Sequence, residues 1–476
     1  MAGLPRSLLI FSRTKRQKLN VSGFYPMGPL GISTLAACLR DSGYQAELLD
    51  SHVFPGGDTE ISRHLEENRY DHVGLSASYF SIEHAIFLAD TVKKHHPGTV
   101  VSLGGPSALF KPEYILQYTR SIDIMVHGEG EKSVVRIVKA VETGAGLKGI
   151  PGTSFVGGGE VATTPRDGFI AMDDVPRPLL ELLPLKKYRL HPPFGVYPPG
   201  QYIESARGCP YKCVFCTLPK EIRTRTPDLV VEDVKHLSEK FGAREIHFVD
   251  PTFTFHRDRV LEICERLKRA RIGIHWTCKT RCDHVDREML EAMAGAGCYS
   301  ISYGVETAAQ NILDFYQKDI SVREIENALF ETKRAGIRAL AYMLIGSPGE
   351  TDETVRGTMA MMRRCNPDFV LYAQMLPDPC SIRAREDMEK GVYTIKEVLD
   401  YYLAGKTDLL DRHGVFGTPQ EQIHKWISRA FNDFYMRPAY IIRRLRDTRS
   451  LNDFLNYFRA FFVLLADRLA LTKTVG

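Results

Sequence analysis

No long hydrophobic run occurs in this sequence. Its longest apolar stretch near the C-terminus, Ala460 to Ala466, falls far short of the roughly 20 residues that span a bilayer, so no transmembrane segment is expected. No secretory leader is expected either: the apolar run Leu8-Leu9-Ile10-Phe11 is short and leads straight into Arg13, Lys15, Arg16 and Lys18. Neither charge sign is in excess. Against 58 Asp and Glu stand 62 Lys and Arg, a net charge of +4, which gives no reason to expect a nucleic-acid partner. Low-complexity tracts and solenoid-period repeats are absent. These absences suit a globular protein of a reducing cytoplasm, where the ten cysteines read as thiols or metal ligands rather than disulfides. Apolar residues make up 44% and charged residues 25% of 476, an ordinary globular composition on a length that calls for two or three domains.

The most specific stretch is Glu204-Ser205-Ala206-Arg207-Gly208-Cys209-Pro210-Tyr211-Lys212-Cys213-Val214-Phe215-Cys216. Its cysteines follow a C-x3-C-x2-C spacing. Thiolates are soft ligands suited to iron–sulfur chemistry, and a tight loop lets three sulfurs converge on one metal centre. A zinc knuckle is the bland alternative. Structural zinc wants four closed ligands, however, and neither Cys nor His follows closely in the loop.

With its flanking residues, this stretch resembles the signature of the radical SAM superfamily. The resemblance implies a [4Fe-4S] cluster held by Cys209, Cys213 and Cys216, with one iron left open to S-adenosylmethionine (SAM). Reductive cleavage of SAM would yield a 5′-deoxyadenosyl radical, with electrons from an external donor such as flavodoxin or ferredoxin.

Ahead of this loop, the first 150 residues alternate short apolar runs with helical patterns. Strands are expected at 7–11, 45–50, 72–76, 99–103 and 122–126, and helices at 31–42, 61–68 and 82–95. Such alternation predicts a doubly wound parallel sheet, whose ligands sit outside the carboxyl ends of the strands. That edge carries Ser76, Ser78, Tyr79, Gly104, Gly105, Gly128, Glu129 and Gly130, mostly small residues that admit a large planar ligand, although Gly turns in α/β folds are also commonly structural. A Rossmann-like segment directly before a radical SAM signature resembles the cobalamin-binding domain of cobalamin-dependent radical SAM enzymes. The Tyr25-to-Gly31 stretch, Gly104-Gly105-Pro106 and Gly128-Glu129-Gly130-Glu131 match positions typical of that family, and the resemblance implies bound cobalamin. In Asp50-Ser51-His52 the glycine that would complete the mutase Asp-x-His-x-x-Gly motif is displaced by one, so His52 reads as a loop residue rather than a cobalt ligand.

Residues 151–200 are rich in Gly and Pro and read as a linker. From 201 to 385 the βα rhythm resumes, with strands expected at 201–206, 245–249, 273–277, 299–304, 338–345 and 369–374, so a (βα)6 partial barrel is expected. Functional residues of barrels cluster at the strand carboxyl ends. By the same resemblance, Phe215 and those ends would meet SAM: Asp250 its amino group, Arg281 its carboxylate, Glu306 its ribose hydroxyls and Ile345 its adenine. Cys278 and Cys282 are read as buried hydrophobes rather than ligands of a second cluster. Cys380 follows the sixth strand. Residues 386–476 are expected to be helical, and Phe434 to Leu445 resembles the C-terminal region of hopanoid- and tetrapyrrole-modifying members. A cap on the barrel is preferred there to a basic membrane-surface contact.

The sequence is thus identified as a member of the cobalamin-dependent radical SAM enzymes. Its fold class is α/β: an N-terminal Rossmann-like cobalamin-binding domain, a (βα)6 partial barrel and a C-terminal helical region. The expected reaction is methylation of an unactivated carbon in a small-molecule or lipid substrate. Oxidation, deoxygenation or ring closure without net methylation is the alternative within enzymology. A non-catalytic cobalamin sensor is the rival from another class, and it leaves the cysteine loop unexplained.

Overall fold

The computed structural model describes residues 4–14, 28–78, 80–105, 112–188, 193–375, 381–394, 396–398, 400 and 418–446. Two compact units divide the chain, the first running to Tyr188 and the second taking most of the remainder.

In the first unit, strands β1 (Arg6–Phe11), β2 (Gln45–Asp50), β3 (His72–Ser76), β4 (Val100–Gly104) and β5 (Ile124–Val126) run parallel in the order β2-β1-β3-β4-β5. Leu8, Leu9, Ile10, Val73 and Leu75 are buried in succession, as a sheet covered on both faces demands. The helices are α1 (Leu30–Asp41), α2 (Gly57–Glu67), α3 (Ile82–His95), α4 (Pro112–Tyr118) and α5 (Glu131–Thr143). The apolar stripe Ile32, Ala36, Leu39 of α1 packs with Val134 and Val138 of α5 over Leu9, and α2 packs with α3. Strand order reverses between β1 and β3, the place where such sheets open a ligand crevice.

The stretch expected as a linker begins instead as part of this sheet. A hairpin of β6 (Thr153–Gly157) and β7 (Glu160–Thr164) adds antiparallel to β5. Gly158 and Gly159, at φ +63° and +90°, form its two-residue turn, the geometry that matches strand twist. The proline-rich remainder makes short 3-10 turns and is tied down by Tyr188, whose hydroxyl donates to Asp50 Oδ2 at 2.9 Å, and by Lys187 Nζ on the Val53 carbonyl at 2.8 Å.

The second unit holds six parallel strands: β8 (Gly200–Ile203), then, past the two-residue pair β9 (Ala206–Arg207) and β10 (Arg223–Thr224), β11 (Glu245–Phe248), β12 (His275–Thr280), β13 (Cys298–Glu306), β14 (Arg338–Ile345) and β15 (Phe369–Gln374). They lie in chain order, with β8 and β15 at the two edges, so the barrel is open. Helices α6 (Pro227–Phe241), α7 (Arg257–Ala270), α8 (Arg287–Gly295), α9 (Gln310–Phe315), α10 (Val322–Arg334) and α11 (Asp352–Cys365) follow the strands. Their starts carry the expected signals: Pro227 at the first turn, Asp286 accepting from Met289 N, and capping boxes at Ser321/Glu324 and Thr351/Thr354. The sheet is two-faced. Ile246, Phe248, Trp276, Cys278, Ile301, Tyr303 and Met343 are all buried, whereas the alternate positions Tyr202, Thr277, Ser302, Gly304 and Tyr342 are only partly so. Cys278 is hydrogen-bonded to Cys298 beside Cys264 in the apolar layer, and Cys282 is fully buried; both behave as small hydrophobes. Cys380 lies outside the described residues.

Among the described residues three more helices follow: α12 (Ile382–Glu389), α13 (Gln420–Tyr435) and α14 (Pro438–Arg446). Tyr435 exchanges two hydrogen bonds with the Val370 backbone, at 2.9 and 2.7 Å, which fixes α13 on β15. Arg443 donates to the Asn366 and Pro367 carbonyls and Arg444 pairs with Asp368 at 2.8 Å. These arginines therefore clamp the turn between α11 and β15. Among the described residues no helix is long and apolar enough to cross a membrane.

Candidate active site

The cysteine loop leaves β9 through Gly208, at φ +82°. A Cβ there would fall 1.9 Å from the Glu221 carbonyl oxygen, so only glycine lets the two backbone segments close. Cys209 N donates to the Pro219 carbonyl at 2.8 Å and Cys216 N to that of Cys213 at 3.0 Å. At Val214 the loop is anchored to the barrel: its N–H donates to the Tyr316 carbonyl (3.0 Å) and its carbonyl accepts from Arg383 N (3.1 Å). Phe215 meets Tyr316 edge-on at 5.0 Å, within an apolar group that includes Val214, Ile312, Met375 and Leu344. Among the described residues no three His, Cys, Asp or Glu side chains stand gathered as a ready-made metal site.

Around Cys213 the charges are arranged. Arg281 Nη1 lies 3.9 Å from the Cys213 sulfur, its Nε and Nη2 grip Asp283 at 2.9 Å each, Nη2 also donates to the Lys318 carbonyl, and its guanidinium sits 3.6 Å over the Tyr211 ring. Tyr211 in turn bonds His284. Burial works against the Arg281 charge, but Asp283 outweighs it and raises its pKa. Lys318 Nζ donates to Glu306 Oε1 at 2.7 Å, both side chains buried. Burial pushes the Cys213 thiol up, while Lys318 and Arg281 pull it down. The net direction is upward, but two cations beside the sulfur fit the negative charge of a thiolate-ligated cluster.

The strand ends differ from expectation in their detail. Asp250, expected at the SAM amino group, is fully buried, and its two oxygens accept from the Ser205 amide and hydroxyl. Burial raises its pKa to about 6, with the Ser205 bonds pulling back. It fastens the chain entering the cysteine loop. Arg281, expected at the SAM carboxylate, spends its fork on Asp283. Ile345, expected at adenine, is 1% exposed because strand alternation puts it on the helix side with Met343; Leu344 is the residue that packs beside Val214 and Phe215. Glu306 ends β13 at φ +68°, a conformation that costs a non-glycine residue and recurs at functional sites. Gly304 makes room for it, since a Cβ there would lie 2.6 Å from Glu306 Oε1 and 3.0 Å from Lys318 Nζ. Glu350 accepts from Gly346 N and Ser347 N, and Ser347 bonds the Tyr316 hydroxyl, which links the fifth strand end to the cysteine loop. Sequence reasoning missed Lys318, Tyr211, Ser205 and Leu344. Lys318 lies between α9 and α10, where Gln317 and Asp319 both take left-handed φ of +51°.

In the first unit, Ser76 and Gly104 end adjacent strands in register. Ser78 N donates to the Ser81 hydroxyl at 2.9 Å, and Gly105, at φ +92°, approaches the Ala77 carbonyl too closely for any Cβ. The space beside Gly128 is taken by Arg166 and that beside Gly130 by Leu35. Glu129 lines a concavity with Lys132, Arg166 and Phe169. Tyr79, Tyr25 to Met27 and Pro106 lie outside the described residues. His52 Nδ1 is 3.0 Å from Asp50 Oδ1. Directly after β1 and β2, the hydroxyls of Ser12 and Ser51 are buried and, among the described residues, have no hydrogen-bond partner. Orphaned hydroxyls at a carboxyl edge fit a ligand rich in polar groups.

Comparison with known proteins agrees with both halves. Residues 203–362 match the radical SAM superfamily model and residues 18–138 the B12 binding domain. The chain is a radical SAM enzyme with a B12-binding domain. Its cofactors are accordingly SAM, a [4Fe-4S] cluster and cobalamin. It is 29% identical over 421 residues to an uncharacterized methyltransferase of Pyrococcus horikoshii, covering 87% of this chain and 89% of that one. To the anaerobic magnesium-protoporphyrin IX monomethyl ester cyclase of Rubrivivax gelatinosus it is 29% identical, over 76% of this chain and 66% of the cyclase. In fold it is similar to the radical SAM methyltransferase TsrM of Kitasatospora setae, solved with cobalamin and a [4Fe-4S] cluster bound: TM-score 0.68, 19% identity, 82% of this chain and 79% of that one.

Proposed function

We propose that this enzyme methylates an unactivated carbon of a small molecule. The observation that carries the reading is the cysteine loop, locked against the carboxyl ends of an open parallel barrel and ringed at Cys213 by Arg281 and Lys318, in a chain that also carries a B12-binding domain. When bound, the cluster and SAM supply a carbon radical and cobalamin a transferable methyl group. The protein's own part is to hold and orient. Cys209, Cys213 and Cys216 bind the cluster, and Arg281 and Lys318 balance its charge. Tyr211 holds Arg281 in place by stacking. Glu306, held in place by Lys318, offers its carboxylate as an acceptor for SAM hydroxyls. Asp250 and Glu350 set the backbone of the two strand ends around it, and Phe215 with Leu344 forms an apolar wall. Ser76, Ser78, Gly104 and Gly105 form the rim for cobalamin. An electron donor of the flavodoxin or ferredoxin type would supply the reductant.

The methyl-transfer reading draws support from the names of the P. horikoshii relative and of TsrM. Ring closure without net methylation is favoured by the R. gelatinosus cyclase. Deuterated-methyl SAM separates them: anaerobically reconstituted enzyme, given candidate tetrapyrrole, lipid and amino-acid substrates, should yield a product three mass units heavier than its light counterpart. A product that has lost hydrogen and gained no label would support ring closure.

A further inference from the structure

The inner face of the second sheet carries a lysine that no role above absorbs. On β12, His275, Thr277 and Lys279 alternate with the buried Trp276, Cys278 and Thr280. Lys279 stands opposite Ser302, and Thr277 opposite Ser300. Ser302 donates to or accepts from Tyr342, and Thr277 Oγ1 lies 2.8 Å from His247 Nδ1, so this face is a polar floor rather than a packed core. Lys279 keeps substantial solvent exposure, yet protein crowds it enough that burial lowers its pKa. Both hold for an ammonium that stands on the inner face of the sheet, open to solvent with protein on its flanks. The carboxylates of this barrel are engaged elsewhere: Glu306 by Lys318, Asp283 by Arg281, Asp250 by Ser205, and Glu245 by His247, Tyr299 and the amides of Val196 and Tyr197. Among the described residues Lys279 pairs with none of them.

We propose that Lys279 is a specificity-determining residue that binds an anionic group, a carboxylate or a phosphate, of the substrate. The proposal rests on the reading that this barrel acts on a small molecule, and it narrows that molecule to an anion. A crowded ammonium without a counter-charge is costly, and an anionic ligand removes that cost on binding. A lysine is a single flexible point charge, so it selects for charge and leaves the shape of the anion open. Two sources could bring the same chemistry, the substrate and the carboxylate of SAM, and the position of Lys279 two residues before Arg281 makes the distinction necessary.

The test uses the full chain, reconstituted with cluster and cobalamin under anaerobic conditions. Brief acetylation with acetic anhydride, read by mass spectrometry of the Lys279 peptide, reports whether the amine is free. Inorganic phosphate or glutarate at ten times its dissociation constant should slow acetylation of Lys279 about tenfold, and SAM should not. Lys279→Met, which has no amine to label, should weaken glutarate binding read by isothermal titration calorimetry while still forming 5′-deoxyadenosine from SAM, and Lys279→Arg should keep both. Protection by neither anion would overturn the proposal. Protection by SAM alone, with weakened SAM binding in Lys279→Met, would overturn it in favour of the SAM carboxylate. Failure of the reading that this barrel does radical chemistry on a small molecule looks different, because the unaltered enzyme would then form no 5′-deoxyadenosine whatever the labelling shows.

Discussion

At Gly208 a single methyl group would collide with the Glu221 carbonyl at 1.9 Å, on a backbone with φ of +82°. Gly208→Ala is therefore expected to bind iron as poorly as Cys213→Ala, although all three cysteines remain. Iron and sulfide analysis after reconstitution checks this, and full iron content in the glycine variant would show that the loop closes another way. Asp250 makes a prediction about pH. Its pKa rises from 3.8 to about 6 in the fold, chiefly through burial. The protonated form is thus favoured by folding, and this contribution is complete below pH 3.8 and lost as pH rises to about 6. Asp250→Asn keeps an acceptor for the Ser205 amide and cannot ionise. The stability of the unaltered protein minus that of the variant should fall between pH 4 and 6 by on the order of 3 kcal/mol, read from denaturant titrations. A flat difference would mean that Asp250 stays ionised throughout. The cysteines were legible because their spacing is itself the chemistry. Asp250 was legible as a strand-end acid, but its partner was not: Ser205 lies 45 positions away, and nothing local marks it.

Among the elements, the break between α9 and α10 has the largest consequence. Two left-handed residues at Gln317 and Asp319 turn the chain so that Lys318 points inward to Glu306. Removing one partner of a buried ion pair strands the other and costs about 3–5 kcal/mol. Lys318→Met is therefore expected to lower stability by about that much, and Glu306→Gln, which keeps an acceptor, by less. Circular dichroism melts set against SAM affinity separate the roles: Glu306→Gln should weaken SAM binding more than it lowers the melting temperature. An unchanged SAM affinity would make the pair purely structural. The parallel strands were legible as apolar runs at regular spacing. The β6–β7 hairpin was not, because Gly157-Gly158-Gly159 has the composition of a linker and the geometry of a tight turn. Strand alternation also decided between Leu344 and Ile345. The expected strand ended at Ile345, but period two puts Leu344 on the inner face.

For the whole molecule, the order of parts was legible from the sequence: a doubly wound sheet, then a three-cysteine loop, then an open barrel with helices after it. What composition left unread was how polar the inner face of that barrel is, since strand by strand its residues are scattered across more than a hundred positions. The central claim is that this is one enzyme using both SAM chemistries, radical formation and methyl donation. The most direct measurement is the stoichiometry of SAM products. Anaerobic enzyme with cluster, cobalamin and a strong reductant should form both 5′-deoxyadenosine and S-adenosylhomocysteine. Withholding cobalamin should abolish S-adenosylhomocysteine, and Cys213→Ala should abolish 5′-deoxyadenosine. If 5′-deoxyadenosine accumulates and no S-adenosylhomocysteine forms with cobalamin present, the enzyme makes radicals without donating methyl groups, and the methyl-transfer account is contradicted.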